Sequence, residues 1–411
     1  MKKINLKDAV GAILFFVILS MAETAFAVDV ILTTEFKADS TKPNNNEFIN
    51  TTPTSGFCKF FPSSCLPGEF SVVVPGFKAY KNFDTDSQDI NKHTYITLDG
   101  TSKSIILTDV NNPQKKITAE FRWAFFGVRH NRINESDGSL IDAMTHTGLA
   151  PSGGCSPRTG GGYPYWYSHG WGVPERVLSC YRMLNKEYPY RGTVLIDDLS
   201  IGYTLKTPAP LSVRSGQYEG VVVYRVGDVV NTPGYIGLGA EDYDGNDEIR
   251  IIIKAKVEHA FKVDFPAGSE QVKLAPKRGW SQWINGGHVP DLLHKEVPFI
   301  LTSSTGFKIN MLCEHNQGQN CGLKNIQTNE VVPLELLMSL PGFIGEGGVI
   351  SKTPLTNISR GHIIPPPKEA IFDRRSTLDF QVKKKGVETM IKEPGSTWRG
   401  MVTLIFDTEI E

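Results

Sequence analysis

The sequence predicts an all-β fold made of two β-sandwich domains. Two observations carry this. Short runs rich in β-branched residues recur along the chain, among them Ser71-Val72-Val73-Val74, Tyr95-Ile96-Thr97-Leu98, Ser104-Ile105-Ile106-Leu107, Gly220-Val221-Val222-Val223-Tyr224 and Ile249-Arg250-Ile251-Ile252-Ile253. Turn signals such as Asp99-Gly100 and Asp244-Gly245 separate them, and long stretches of helical periodicity are missing. Many short strands punctuated by turns read as sandwiches, whose side chains alternate between core and solvent. Leu334–Met338 fits either one short helix or a further strand.

The first residues predict export. Lys2, Lys3 and Lys7 precede an apolar run from Ala9 to Leu19, and Ala25-Phe26-Ala27 supplies a small-x-small cleavage site. The run is shorter than the roughly 20 residues needed to span a bilayer. Residues 1–27 are therefore expected to be a signal peptide, with the mature chain starting at Val28. A chain of 411 residues is too long for one sandwich. The pattern changes after Val257, so the expected domains are 28–257 and 258–411. Val28, Val30 and Leu32 alternate and are expected to open the first strand of the N-terminal domain.

The formal charge of −1 gives no basic field for nucleic acid, and no nucleic-acid partner is expected. The basic run Lys383-Lys384-Lys385 reads as the solvated loop of a hairpin between Thr377–Val382 and Val387–Ile391. Six cysteines in an exported chain point to disulfides. They permit 15 pairings. The sequence-close pairs Cys58–Cys65, Cys155–Cys180 and Cys313–Cys321 are expected, because each couple falls inside one domain. Metal ligation is the rival, but Cys-x-x-Cys and paired histidines at ligand spacing are missing, so neither metal nor cofactor is expected.

The C-terminal half carries a family resemblance. Val257–Gly268 leads through Leu274-Ala275-Pro276 and Gly279-Trp280-Ser281-Gln282-Trp283 to Pro298-Phe299, Leu312-Cys313-Glu314, Cys321, Val332-Pro333-Leu334 and Ser339-Leu340-Pro341-Gly342. The chain then ends on Gly395-Ser396-Thr397-Trp398-Arg399-Gly400 and the run Met401–Asp407. Residues 211–411 resemble the pilin-like half of two-domain enterobacterial chaperone–usher fimbrial tip adhesins. The N-terminal half resembles them only in architecture. The resemblance implies a C-terminal immunoglobulin-like sandwich lacking its last strand. A periplasmic chaperone and then an adjacent pilin subunit would supply that strand, and an outer-membrane usher would be a further partner. It also implies a lectin-like N-terminal domain for a host surface glycan or protein, and a location at the tip of a surface fimbrium. Val402, Leu404 and Phe406 alternate as a strand flanking a donor groove would. Family subunits often carry an aromatic next to last, where this chain has Ile410.

The candidate ligand surface lies in the N-terminal domain. Between Cys155 and Cys180 come three consecutive glycines, 160–162, then five large aromatics from Tyr163 to Trp171. Aromatic faces stack on the apolar faces of sugars, while Arg, His and Tyr bond hydroxyls or acids. Arg158, Tyr163, Tyr165, Trp166, Tyr167, His169 and Trp171 are the candidates. The alternative is a disulfide-pinned loop whose aromatics cover a core. In a second cluster, alternation sets Arg122 and Ala124 opposite Trp123 and Phe125, as in a half-buried strand. Arg129, His130 and Arg132 would then fall at its exposed end, where Arg129 and Arg132 suit an anionic sugar. No catalytic residue is expected: Gly-x-Ser-x-Gly, His-Glu-x-x-His and Gly-Lys-Ser/Thr are all missing. The calcium-like run Asp242–Glu248 has Gly245 and Ile253 where the loop needs other residues, and reads as a turn. The rival readings are a tip initiator of pilus assembly with little binding of its own, and an exported polysaccharide hydrolase, whose acids need no local motif.

Overall fold

The computed structural model describes residues 26–145 and 150–408. Most of the proposed signal peptide, and Ile410, lie outside the described residues. The fold is nearly all β. A 14-stranded sheet is built from strands between Phe26 and Glu258, and a nine-stranded and a three-stranded sheet from strands after Phe261. No described helix is long and apolar enough to cross a membrane.

The N-terminal unit is closed by a parallel pair of distant segments. The strand Phe26–Lys37 runs beside Asn246–Glu258, with Val30 opposite Ile251 and Leu32 opposite Ile253. Val30, Leu32 and Phe36 point into the core, while Ile31, on the other face, is exposed. The strands Lys116–Arg132 and Arg191–Lys206 form the antiparallel spine. The expected half-buried pattern around Trp123 does not hold. Trp123, Ala124 and Phe125 are all buried, so both faces of this strand are covered. One cover is the short helix Phe57–Phe60 with its Cys58–Cys65 disulfide. Phe57 lies over Gly127 and Gly170, where a Cβ would fall within 3 Å of its ring atoms. These two glycines let the ring meet bare backbone.

All three disulfides join the sequence-close couples, including Cys155–Cys180 and Cys313–Cys321. The joint between the units is short. One strand ends at Glu258 and the next begins at Phe261. His259 fixes it: Nε2–H donates to Val213 O (2.6 Å) and Nδ1 accepts from Ser304 Oγ (2.9 Å). Ala370 of the C-terminal unit donates its N–H to Pro43 O at 3.2 Å, and its side chain belongs to the first core.

In the C-terminal unit, Phe261–Asp264, Leu292–Ser303, Ile371–Lys383, Val331–Ser339 and Asn320–Asn325 lie side by side. The second layer is His362–Ile364, Phe307–Cys313 and Val402–Asp407. Leu334–Met338 is thus strand. The lysine run is not a hairpin loop. Ile371–Lys383 continues directly into a helix, Lys384–Met390. Val387 is fully buried and Met390 packs beside it on the core. Their i, i+3 spacing suits a helix, and a second strand would have put Val387 and Thr389 on one face.

Candidate functional site

Two surfaces stand out. The first is a groove in the C-terminal unit, beside the strand Val402–Asp407. That strand pairs only with Phe307–Cys313 among the described residues, so its other edge is open. Val402, Leu404 and Phe406 are half-buried against the second core, while Met401, Thr403 and Ile405 face outward. Beside this edge runs a groove of about 1340 Å³, floored by Leu293, Leu334, Leu378 and Val387. Its other side is bounded by Phe265 and by Val263 of the strand Phe261–Asp264, which among the described residues pairs only with Leu292–Ser303. Two open strand edges with a core exposed between them leave main-chain N–H and C=O groups free to bond an added strand.

The second surface is the aromatic hairpin formed by Ser156–Tyr163 and Trp166–Gly172. The second strand ladders onto the spine, pairing Asn131 with Trp166 and Phe125 with Gly172. Its side chains divide by parity. Tyr167, His169 and Trp171 face the interior and are buried, Trp171 at 2 % exposure. They lie in the core and are not a contact surface. Tyr163 and Tyr165, at 57 % and 56 % exposure, form the outer tip together with half-buried Trp166. The tyrosine rings stack at 5.9 Å and 14°, and Trp166 tilts against Tyr163 at 5.5 Å. The turn is held from behind, because Pro164 O accepts from Leu140 N–H and Tyr165 O from Arg132 N–H.

The arginines are already engaged. Arg158 makes a bidentate pair with Glu69 (2.8 and 2.6 Å), donates to Ser64 O and lies 4.0 Å from the Phe125 ring centre. It clasps the Cys58–Cys65 loop to the hairpin and is not free at the surface. Burial acts to raise the Glu69 carboxyl, but hydrogen bonds from Arg158 and Leu66 hold it below its ordinary value. Arg129 sits 3.6 Å from Asp197 and 3.8 Å from Asp198, and burial pushes the Asp198 carboxyl up. Arg132 donates to Gly138 O. The expectation that Arg129, His130 and Arg132 form an exposed end also fails at His130, which is 3 % exposed.

No family model matches the chain, and no curated protein sequence gives a significant match. Among solved structures it is similar to a chain of a chaperone–tip adhesin complex described as vital for synergistic activation of CFA/I fimbriae biogenesis (TM-score 0.25, 10 % identity, 93 % of this chain and 97 % of that one). It is also similar to a chain of the CsuC–CsuE chaperone–tip adhesion subunit pre-assembly complex from the archaic chaperone–usher Csu pili of Acinetobacter baumannii (TM-score 0.21, 10 % identity, 92 % and 99 %). Likeness at this level carries no functional argument.

The sequence reading missed Lys81. Its neighbours Ala79 and Phe83 are buried on the same face of one strand, and Lys81 is buried with them. Its ammonium donates to Asn91 O, Leu238 O and Gly239 O at 2.6–2.9 Å. Burial pulls its pKa down to about 7, while the carbonyls satisfy the charged form. The alternation Ala79-Tyr80-Lys81-Asn82-Phe83 was the available signal.

Proposed function

We propose that this chain is a pilus-tip adhesin. Its C-terminal unit accepts a strand from a periplasmic chaperone and then from the adjacent pilin, and its N-terminal unit holds a host surface glycan. The observation that carries the reading is the apolar groove beside the open edge of Val402–Asp407. A strand with alternating apolar residues laid there would bond its main chain to that edge and fill the groove with every second side chain. This agrees with the resemblance of residues 211–411 to the pilin-like half of fimbrial tip adhesins. Adding an alternating-apolar peptide to the full chain tests it: tight binding is expected, lost in Leu404→Asp. Failure of the unsubstituted chain to bind such a peptide would contradict it.

For the N-terminal unit, the exposed rings Tyr163, Tyr165 and Trp166 support a stacking surface for a sugar. The occupied state of Arg129, Arg132 and Arg158 favours an uncharged sugar over the anionic one expected from the sequence. A glycan array probed with the full chain tests this. Neutral glycans should be retained, and retention of sialylated or sulfated glycans alone would contradict the choice.

A further inference from the structure

The aromatic hairpin rests on a pair of uncharged, stacked histidines. His130 on the spine strand Lys116–Arg132 and His169 on the hairpin are each 3 % exposed. Their rings lie parallel, 5.4 Å apart at 4°. Neither Nδ1 has a hydrogen-bond partner among the described residues. Rings close the space around them: Phe83 lies 5.2 Å from His130, and Trp171 5.0 Å and Phe126 6.1 Å from His169.

The charges that bear on the pair are positive: Lys81 from the strand Ala79–Asp84 acts on His130, and Arg182 from Val177–Arg182 acts on both. Arg182 is itself tied to Met144 O. Asp197 and Asp198, the carboxylates nearest in the ladder, engage Arg129, which points to the opposite face from His130. Tyr190, in the same cluster, is held neutral by burial, which pushes its hydroxyl up, and Asp137 acts on it. Burial pulls the His130 pKa down to about 3, against one backbone contact to Tyr167, and that of His169 lies well below the ordinary value.

The charges that act on the pair from the described residues are all positive, so a proton arriving here is not offset by them. The imidazolium can gain solvation only if one ring leaves the interior. His169 has the shorter way out. Among the described residues its hairpin is laddered to the sheet only between Phe125–Asn131 and Trp166–Gly172, its outer strand pairs with no other strand, and beyond the ladder it is held by the Pro164 and Tyr165 carbonyls and by Arg158. His130 lies in the spine, laddered on both sides.

We propose that acid detaches this hairpin, through protonation of the His130–His169 pair, and so disassembles the surface made by Tyr163, Tyr165 and Trp166. The consequence for binding rests on the reading that those rings form the ligand surface. The hinge is the base of the hairpin, where Cys155–Cys180 keeps it tethered and able to return.

Hydrogen exchange by mass spectrometry on the full chain, at pH 7.4 and 4.5 with labelling times scaled for intrinsic rates, tests the device without any ligand. Peptides covering 156–172 should lose at least tenfold in protection at pH 4.5, while Arg191–Lys206 keeps its own. Equal protection of 156–172 at both values would overturn the proposal. In His130→Phe/His169→Phe the pH dependence should vanish. Because that variant can fail to fold, a ¹³C-imidazole titration of the wild-type chain stands beside it. The two resonances should titrate together with the loss of protection, and free titration near pH 6.5 in an intact hairpin would overturn the proposal. Retention of printed neutral glycans at both pH values separates the two readings. Opening of the hairpin with no glycan retained at pH 7.4 supports the device and removes the glycan reading. Retention unchanged at pH 4.5 overturns the device and leaves the glycan reading standing.

Discussion

Trp166 and Trp171 share one strand but lie on opposite faces, so the same truncation should do different things. Trp171 is buried among Phe126 and His169. Trp171→Ala should cost about 3–5 kcal/mol of stability in denaturant unfolding. Trp166→Ala, at the half-buried tip, should leave stability nearly unchanged and weaken glycan retention by roughly tenfold, a binding loss of about 1.4 kcal/mol. Arg158→Ala should cost about 3 kcal/mol, since it strands Glu69 with 13 % of its side chain exposed. The histidines add a pH dependence. Both have folded-state pKa values below the ordinary 6.5, so above pH 6.5 they are neutral in either state and stability is complete. As the pH falls, the closed fold refuses their protons, and only chains in which the hairpin is open or the domain unfolded take them up. The unfolding free energy from urea titrations should therefore drop below pH 6.5, by at most about 1.4 kcal/mol per pH unit for each histidine. A flat profile from pH 7 to 4 would contradict their neutral burial.

Among the elements, the aromatic hairpin and the spine strand depend on two glycines that carry Phe57. Gly127→Ala or Gly170→Ala would drive a methyl into that side chain, to within 2.7 and 2.5 Å of its nearest carbons. Either should cost about 1–3 kcal/mol by overpacking, and Phe57→Ala in the same chain should recover part of the Gly170→Ala loss. A double-mutant cycle with no coupling would contradict the contact. Strand content was legible in the sequence because β-branched alternation reports one buried face, as at Val402–Phe406. It failed where both faces are covered, at Trp123–Phe125, and where a polar residue sits inward, at Lys81. The hairpin's aromatics were found as a group, but their division into core and tip follows from which face the spine covers, and that is a tertiary fact. The helix Lys384–Met390 was missed because Val387-Glu388-Thr389-Met390-Ile391 reads locally as an apolar and β-branched run; the i, i+3 spacing of Val387 and Met390 was the signal for a helix.

At the scale of the whole molecule, the two units differ in completeness. The N-terminal sheet is closed by its own first strand, which pairs along its length with Asn246–Glu258. In the C-terminal unit the strand Val402–Asp407 has, among the described residues, one edge open over an apolar groove. His259 couples the two at a short joint through its bonds to Val213 and Ser304. The most direct test is a thermal melt of the full chain, with and without an alternating-apolar donor peptide joined after Glu411 by a flexible linker. The donor peptide should raise the melting temperature of the C-terminal unit by about 10 °C or more, roughly 2.5–5 kcal/mol for a domain of this size, and placing Asp at its alternate positions should abolish the gain. An unfused chain whose C-terminal unit already melts cooperatively at the same temperature as the fusion would contradict the incomplete sandwich.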